Sequence, residues 1–472
     1  MDNSTKKLMS GSSVYFMGNA LTQLVSLLLM RFVTGNVTPE EYGFFNLVTT
    51  IANLAIPFVT LQIADAVFRF VLKATDVAEK KCYFTISYIV SAVSILLIFG
   101  ITYGVSYLIV PIPHTFLVAL YVASYALLAI YQKTVRSLNQ NVVFVTGSLM
   151  KTVVFLLLEV LLISQLKMGV DALLLAHILS TLVLILYSES KIKIFRYFDL
   201  RSFRKDAFVK MMRFSIPLMP NAAFWWLTSS VNNVIVSARL GMGVNGIYTV
   251  SNKFSSTLNM VTSVLNMSWQ DTAVADYGKE NFKSFLTQTF NTFVRLIFSA
   301  IAVLLPLISL ILPYMVDPSY SQAFAYTPFL MIASGTSVMS GFVAQIFTGK
   351  GKTGNILITS IFGMIANILI VFLFIGKIGL WAAVLGALTS DCVLFGTRTF
   401  LSRKEFAPGI DYKGFCIVLI MLAIGIFMYF KGSALLNIVW LITSAGLALM
   451  LNFKFIKDMF IVIFGRFLPN GR

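Results

Sequence analysis

Long apolar runs fill the chain from residue 12 to residue 452, broken at intervals by a few polar residues or a Gly/Pro turn. Most are long enough to cross about 30 Å of hydrocarbon as a helix, which takes roughly 20 residues. The pattern predicts fourteen such helices, at 12–34, 41–68, 83–110, 115–136, 142–166, 169–189, 214–239, 243–274, 286–314, 322–348, 353–375, 378–400, 413–431 and 434–452. The second and eighth are the least regular, being rich in Asn, Ser and Thr. An all-α membrane protein is therefore expected: a six-helix bundle over 1–190, a basic linker over 191–213, a second bundle over 214–400, and two further helices with a tail over 401–472.

Composition agrees with the pattern. Of 472 residues 58% are hydrophobic and only 12% charged, about half the charge of a typical soluble domain, which excludes a soluble enzyme. The net charge of +17 then concerns orientation in the membrane, not nucleic acid. With both termini inside, 28 of the 36 Lys and Arg residues fall in inner segments, five in outer ones (Arg31, Lys167, Arg239, Lys377, Lys431) and three within spans (Lys151, Lys253, Arg295). Cytoplasmic loops retain cations, so this asymmetry fixes an even number of spans, because one missed helix inverts every loop after it.

The longest inner segment reads KIKIFRYFDLRSFRKDAFVKMMR from Lys191 to Arg213. It fits simple retention by charge, and equally an amphipathic linker on an anionic leaflet. Val14–Met30 follows Lys6 and Lys7 without a small-residue cleavage site, and reads as an uncleaved first helix. Cys82, Cys392 and Cys416 have no metal or disulfide spacing, and His114 and His177 are far apart, so neither a metal nor a cofactor is expected. Gly349-Lys350-Gly351-Lys352-Thr353-Gly354 imitates a phosphate loop, but Ile346 stands where that loop needs a glycine. It reads as a basic turn.

The halves echo each other. Leu166–Ser180 (LKMGVDALLLAHILS) and Gly376–Ser390 (GKIGLWAAVLGALTS) coincide at Lys167/Lys377, Gly169/Gly379, Ala172/Ala382, Leu175/Leu385 and Ser180/Ser390. Arg31 and Gly35 likewise match Arg239 and Gly243. Six helices per half give both copies one orientation, the arrangement of transporters that rock two bundles about a site at their interface.

Charge within a span costs about 2.5–3.5 kcal/mol on insertion scales, so it marks a cavity or a partner. Arg31, Arg69, Arg239, Lys253 and Arg295 are the candidate binding cations, and Asp65, Glu159 and Asp391 the candidate coupling or ion-pair carboxylates. Arg31 and Arg239 occupy equivalent places; a pair of guanidinium forks suits a diphosphate, although both lie near helix ends and can snorkel instead. Asp65 and Arg69, four apart on one helix, can pair with each other. Lys253 and Arg295 have no evident local partner. Amides crowd the second, seventh and eighth spans, Asn53, Asn232 and Asn252 among them; they suit a wet cavity that bonds sugar hydroxyls, or hydrogen bonds between helices.

Four segments carry a family resemblance. They are Thr38-Pro39-Glu40-Glu41-Tyr42-Gly43 after the first span, Leu61–Val71 (LQIADAVFRFV), Ser215-Ile216-Pro217-Leu218-Met219-Pro220 at the seventh, and Ser268-Trp269-Gln270 ending the eighth, where Asp271 replaces a common proline. In order and spacing they resemble the polysaccharide transporter branch of the multidrug/oligosaccharidyl-lipid/polysaccharide flippase superfamily, the Wzx-type flippases. The resemblance implies transfer of an undecaprenyl-diphosphate-linked oligosaccharide across a bacterial inner membrane, by a monomer with a central cationic cavity. It also implies proton or sodium coupling and, by similarity to the flippase of the peptidoglycan precursor, a groove for the lipid tail in the last two helices. A multidrug extruder of the same fold is the rival; it calls for a first-half carboxylate, often on the first helix, and Val14–Phe32 has none. A membrane polymerase needs a large outer loop, and the outer connectors are short.

Overall fold

The computed structural model describes residues 30–258, 282–350, 354–403 and 411–464, with Thr262, Trp269 and Gly409. Most of the first predicted span, and of the eighth beyond residue 258, lies outside the described residues. Among the described residues there are sixteen α-helices and three short 3-10 turns, with no strand. Eleven helices are long and apolar enough to cross a membrane. The chain divides into two compact units, Met1–Gly246 and Ile247–Arg472.

In the first unit α1 (Met30–Asn36) leads through Thr38 into α2 (Pro39–Val59). After a break come α3 (Ile63–Lys73), α4 (Val77–Leu108), α5 (Thr115–Ser137), α6 (Asn141–Leu166) and α7 (Val170–Ile192). α8 (Lys205–Ser215) belongs to the linker, α9 (Leu218–Leu240) is the seventh predicted span, and α10 (Met242–Ser255) begins the eighth, with the boundary of the unit at Gly246 inside it. Two cores hold the unit. One gathers Ile63, Val67, Phe84, Ile86 and Met211; the other gathers Ala52, Ile56, Tyr121 and Leu174.

The Thr38–Gly43 turn has a reason at each position. Thr38 caps α2 by accepting from the Glu41 backbone N–H at 3.3 Å, and Glu41 accepts from the Thr38 N–H at 2.9 Å, a capping box with Pro39 as the first helical residue. The other Glu41 oxygen accepts from the Val170 N–H at 3.4 Å and so tends the start of α7. Gly43 lies against α10: a Cβ there would stand 1.8 Å from the Met242 carbonyl oxygen, and one on Gly246 would stand 2.1 Å from that of Pro39. The Asn245 amide donates to the Gly43 carbonyl at 3.0 Å across this crossing. Small residues here let two backbones touch, as in other packed membrane helices.

The linker folds onto the first unit. Ile194 and Met211 are fully buried, the Phe195 ring stacks on Tyr88 at 5.3 Å, and the Thr85 hydroxyl bonds the Asp199 backbone. Its eight basic residues are exposed. The Arg204 guanidinium hydrogen-bonds Asp206 and holds that carboxyl below its ordinary range.

The second unit contains α11 (Phe282–Met315), α12 (Ala323–Gly349), α13 (Gly354–Ile378), α14 (Trp381–Ser402), α15 (Tyr412–Lys431) and α16 (Ala434–Phe464). α14 packs on α12 and α13, while α15 and α16 pack on α11. Trp269, from the predicted Ser-Trp-Gln segment, is buried against Phe342 with ring centroids 4.3 Å apart and donates to its carbonyl at 3.0 Å. Gly349 ends α12 and Gly354 begins α13; residues 351–353 of the basic motif lie outside the described residues. The repeat has a backbone counterpart, since Gly169 and Gly379 both take a positive φ (54° and 59°) just before α7 and α14. Leu357, Phe362, Ile365, Leu369 and Phe372 form an exposed apolar stripe along α13, which suits contact with lipid.

Candidate functional site

The second predicted span does not run through. Pro57 removes one helical N–H, and the chain turns at Thr60–Gln62 before restarting as α3. Leu61 and Gln62 take the left-handed conformation at φ 51° and 52°, which costs roughly 1–2 kcal/mol for each non-glycine residue. Discontinuous membrane helices recur at transport sites because they free backbone groups beside a cavity. A cavity of about 280 Å³ opens beside this break, lined by Asn53, Thr60, Gln62, Asp65, Tyr125, Gln132, Lys133 and Arg136, with Ile56 and Phe144 among its apolar walls.

Its charges come from two helices, α3 and α5. Asp65, in the first turn of α3, accepts from the Lys133 ammonium of α5 at 2.7 Å and from the Gln62 amide at 2.7 Å. The expected Asp65–Arg69 pair is thus replaced. A pair one helical turn apart is worth only about 0.2–0.5 kcal/mol, and α5 brings a cation directly to the carboxylate. Arg69 is exposed and lies over the Phe214 ring at 4.3 Å. Arg136 stands over Phe68 at 5.3 Å and Phe144 at 5.7 Å, its charge left at the cavity wall. Above, Thr49 bonds the Tyr121 hydroxyl at 2.8 Å, and Tyr125 stacks on the buried His177 at 5.3 Å.

The other predicted residues are dispersed. Arg31 on α1 and Arg239 in the last turn of α9 are exposed, while Asn232 is buried. In the second unit Lys253 and Asn252 are half-buried on α10, where the Asn252 amide bonds the Tyr248 carbonyl at 3.2 Å. Glu159 is buried in α6. Asp391 on α14 is half-buried and bonds the Ser337 side chain. Arg295 does have a partner: it donates to Asp411, at the start of α15, at 2.7 Å.

Sequence reasoning missed Arg398, which it counted as an inner loop cation. It is buried near the end of α14 and donates to the Thr359, Ser340 and Ser360 hydroxyls at 3.2, 2.8 and 3.0 Å, and to the Ser340 carbonyl at 3.1 Å. Hydroxyls and a carbonyl thus compensate a desolvated charge. Lys133, Arg136, Gln62 and Gln132 were also missed. The available signal was a Gln-Lys pair three positions before Arg136, near the level of Asp65.

A family profile described as "Polysaccharide biosynthesis protein" matches residues 8–270, more than half of the chain. The chain belongs to that family. Among curated proteins no sequence relative matches it. Among solved structures, this family member is similar to an inward-facing multidrug resistance MATE family transporter of the MOP superfamily, at 15% identity and a TM-score of 0.63, over 82% of this chain and 98% of that one. It is similar also to the lipid II flippase MurJ in an inward closed conformation, at 14% identity and a TM-score of 0.61, over 96% and 99% of the two chains. A MATE transporter of Vibrio cholerae, VcmN in a bent form, aligns at 15% identity with a TM-score of 0.52, over 89% and 100%. The fold is therefore MATE-like, all helical among the described residues and with eleven helices there fit to cross a membrane, in keeping with the all-α membrane protein that the hydropathy pattern predicts. The protein is a multi-pass membrane protein of that polysaccharide biosynthesis family.

Proposed function

We propose that this protein translocates an undecaprenyl-diphosphate-linked oligosaccharide, a repeat unit of O-antigen, capsule or exopolysaccharide, from the inner to the outer face of the bacterial cytoplasmic membrane. The observation that carries the reading is a cavity lined by amides and cations at a helix break, in a member of a polysaccharide biosynthesis family. Sugar hydroxyls and a diphosphate need hydrogen-bond partners and positive charge that hydrocarbon lacks, whereas a prenyl tail stays in lipid. The protein shelters the head group while its halves, 1–190 and 214–400, exchange access. Lys133 and Arg136 receive the diphosphate on the inner side, Arg31, Arg69, Arg239 and Lys253 carry it onward, and Asn232 and Asn252 bond the sugars. Proton or sodium coupling falls to Glu159 or Asp391, since Asp65 is already committed to Lys133. In the second reading, a multidrug antiporter of the same fold, the pocket holds an organic cation. Two cations against one carboxylate disfavour it.

Reconstituted protein is expected to move a fluorescent lipid-linked sugar across vesicles without ATP, and a strict ATP requirement rules this class out. Lys253→Ala and Arg239→Ala are each expected to abolish surface glycan with protein retained in the membrane; normal glycan in both removes these cations from the path. For orientation, a cysteine at position 167 is expected to react with an impermeant thiol reagent from outside and one at 350 not to. The opposite pattern inverts the topology.

A further inference from the structure

The second unit contains a separate pocket, of about 310 Å³, where α15 stands off from α12 and α14. Its walls are mostly apolar: Phe290, Val294 and Phe298 from α11, Met339 from α12, Phe395 from α14 and Phe415 from α15, with Thr336 and Thr399 between them. The Phe290 and Phe395 rings are parallel within 3° at 6.3 Å, and Phe415 is exposed. A largely apolar cavity of this kind in a membrane protein favours hydrocarbon over water, because most of its wall offers water no hydrogen bonds.

The rim is of the opposite character. Arg295 Nη1 donates to Asp411 Oδ2 at 2.7 Å, and both side chains are partly exposed, at 28% and 36%. Their placement is fixed by the chain. Asn291 donates to the Gly409 carbonyl at 2.8 Å and accepts from the Asp411 N–H at 3.1 Å. Asp411 also accepts from the Gly414 N–H at 3.1 Å and so caps α15. Among the described residues Arg295 makes only the bond to Asp411, and its Nε is buried without an acceptor. The rim thus offers a cation with donors to spare beside a carboxylate, at the level where α15 begins.

We propose that this pocket binds one phospholipid with a phosphoethanolamine head, its phosphate on Arg295, its ammonium on Asp411 and one acyl chain among the phenylalanines. A guanidinium fork suits a phosphate, and a primary ammonium can donate to a carboxylate. A phosphoglycerol head leaves Asp411 facing net negative charge, and a phosphocholine head has no N–H to donate. Such a lipid site is independent of what the protein transports. It needs only the membrane, which supplies the ligand in excess.

The full-length protein in nanodiscs containing equal parts of phosphatidylethanolamine, phosphatidylcholine and phosphatidylglycerol, with added undecaprenyl phosphate, provides the test. Native mass spectrometry is expected to show one phosphatidylethanolamine retained in preference to the others. Arg295→Gln is expected to lower that retention about tenfold. Asp411→Asn keeps a residue that caps a helix as well as aspartate does; it is expected to stay folded by thermal melting, and to lose the preference over phosphatidylglycerol or reverse it. No retained lipid, preferential phosphatidylglycerol or undecaprenyl phosphate, or an unchanged preference in Asp411→Asn overturns the assignment. Should Arg295→Gln fail to fold, Asp411→Asn alone decides.

Discussion

Replacing Gly43 with leucine is expected to remove folded protein from the membrane almost completely. The obstacle is backbone, since even a Cβ would come within 1.8 Å of the Met242 carbonyl oxygen and 2.9 Å of the Gly246 nitrogen. A side-chain neighbour can rotate away, but a helix has to translate. Overpacking costs roughly 1–3 kcal/mol where side chains can yield, and more where they cannot. Separating α2 from α10 also breaks the Asn245–Gly43 hydrogen bond and moves Glu41, which serves the start of α7. Gly43→Ala is expected to be milder but still defective, and Gly35→Ala, where a Cβ meets nothing within 4 Å, to behave as wild type. Fluorescence-detected size exclusion of tagged protein measures all three. Leucine at 43 with a normal monodisperse peak means the crossing is not as close as described.

The second large effect is expected at the helix break. Lys133→Met keeps an unbranched stem near Phe68 but leaves Asp65 bonded to Gln62 alone. The pair is neither fully buried nor freely exposed, so its loss falls between the ~1 kcal/mol of a surface pair and the ~3–5 kcal/mol of a buried one. Surface glycan is expected to fall about tenfold or more, because the cavity also loses one of its two cations. Asp65→Asn separates the two roles. It removes the carboxylate and leaves the Lys133 charge available, so protein level is expected to drop modestly while glycan export persists. Both are read by immunoblot and glycan profile of a complemented deletion strain. Equal loss of protein and glycan in both variants identifies the pair as a structural tie with no part in binding.

Much of the fold is legible because its causes are local. Hydropathy over some twenty residues decides whether a segment spans, so every predicted span from the second to the fourteenth has helix at its place, though the second is broken at Thr60–Gln62 and the eighth is described only in part. The Thr38–Gly43 motif was legible as a turn, and the capping box explains its first half. Its glycine was not explicable until α10 was seen beside it. The second span was drawn as one helix because Pro57 alone does not reveal a break; two consecutive left-handed residues do. The linker's charge was evident, whereas its docking on Tyr88, Thr85 and Met211 depends on surfaces formed by other helices.

The sequence by itself determined the all-helical membrane class, the order of the described helices, the repeat and the family, since each follows from composition or spacing along the chain. Only the tertiary structure decided which charge meets which partner. Asp65 finds Lys133 instead of Arg69, Arg295 finds Asp411, and Arg398 leaves the loop charges for a cage of hydroxyls. The reason is physical: in a medium that solvates ions poorly, a charge takes the best hydrogen-bonding partner that packing brings within about 3 Å, and distance along the chain does not set that contact.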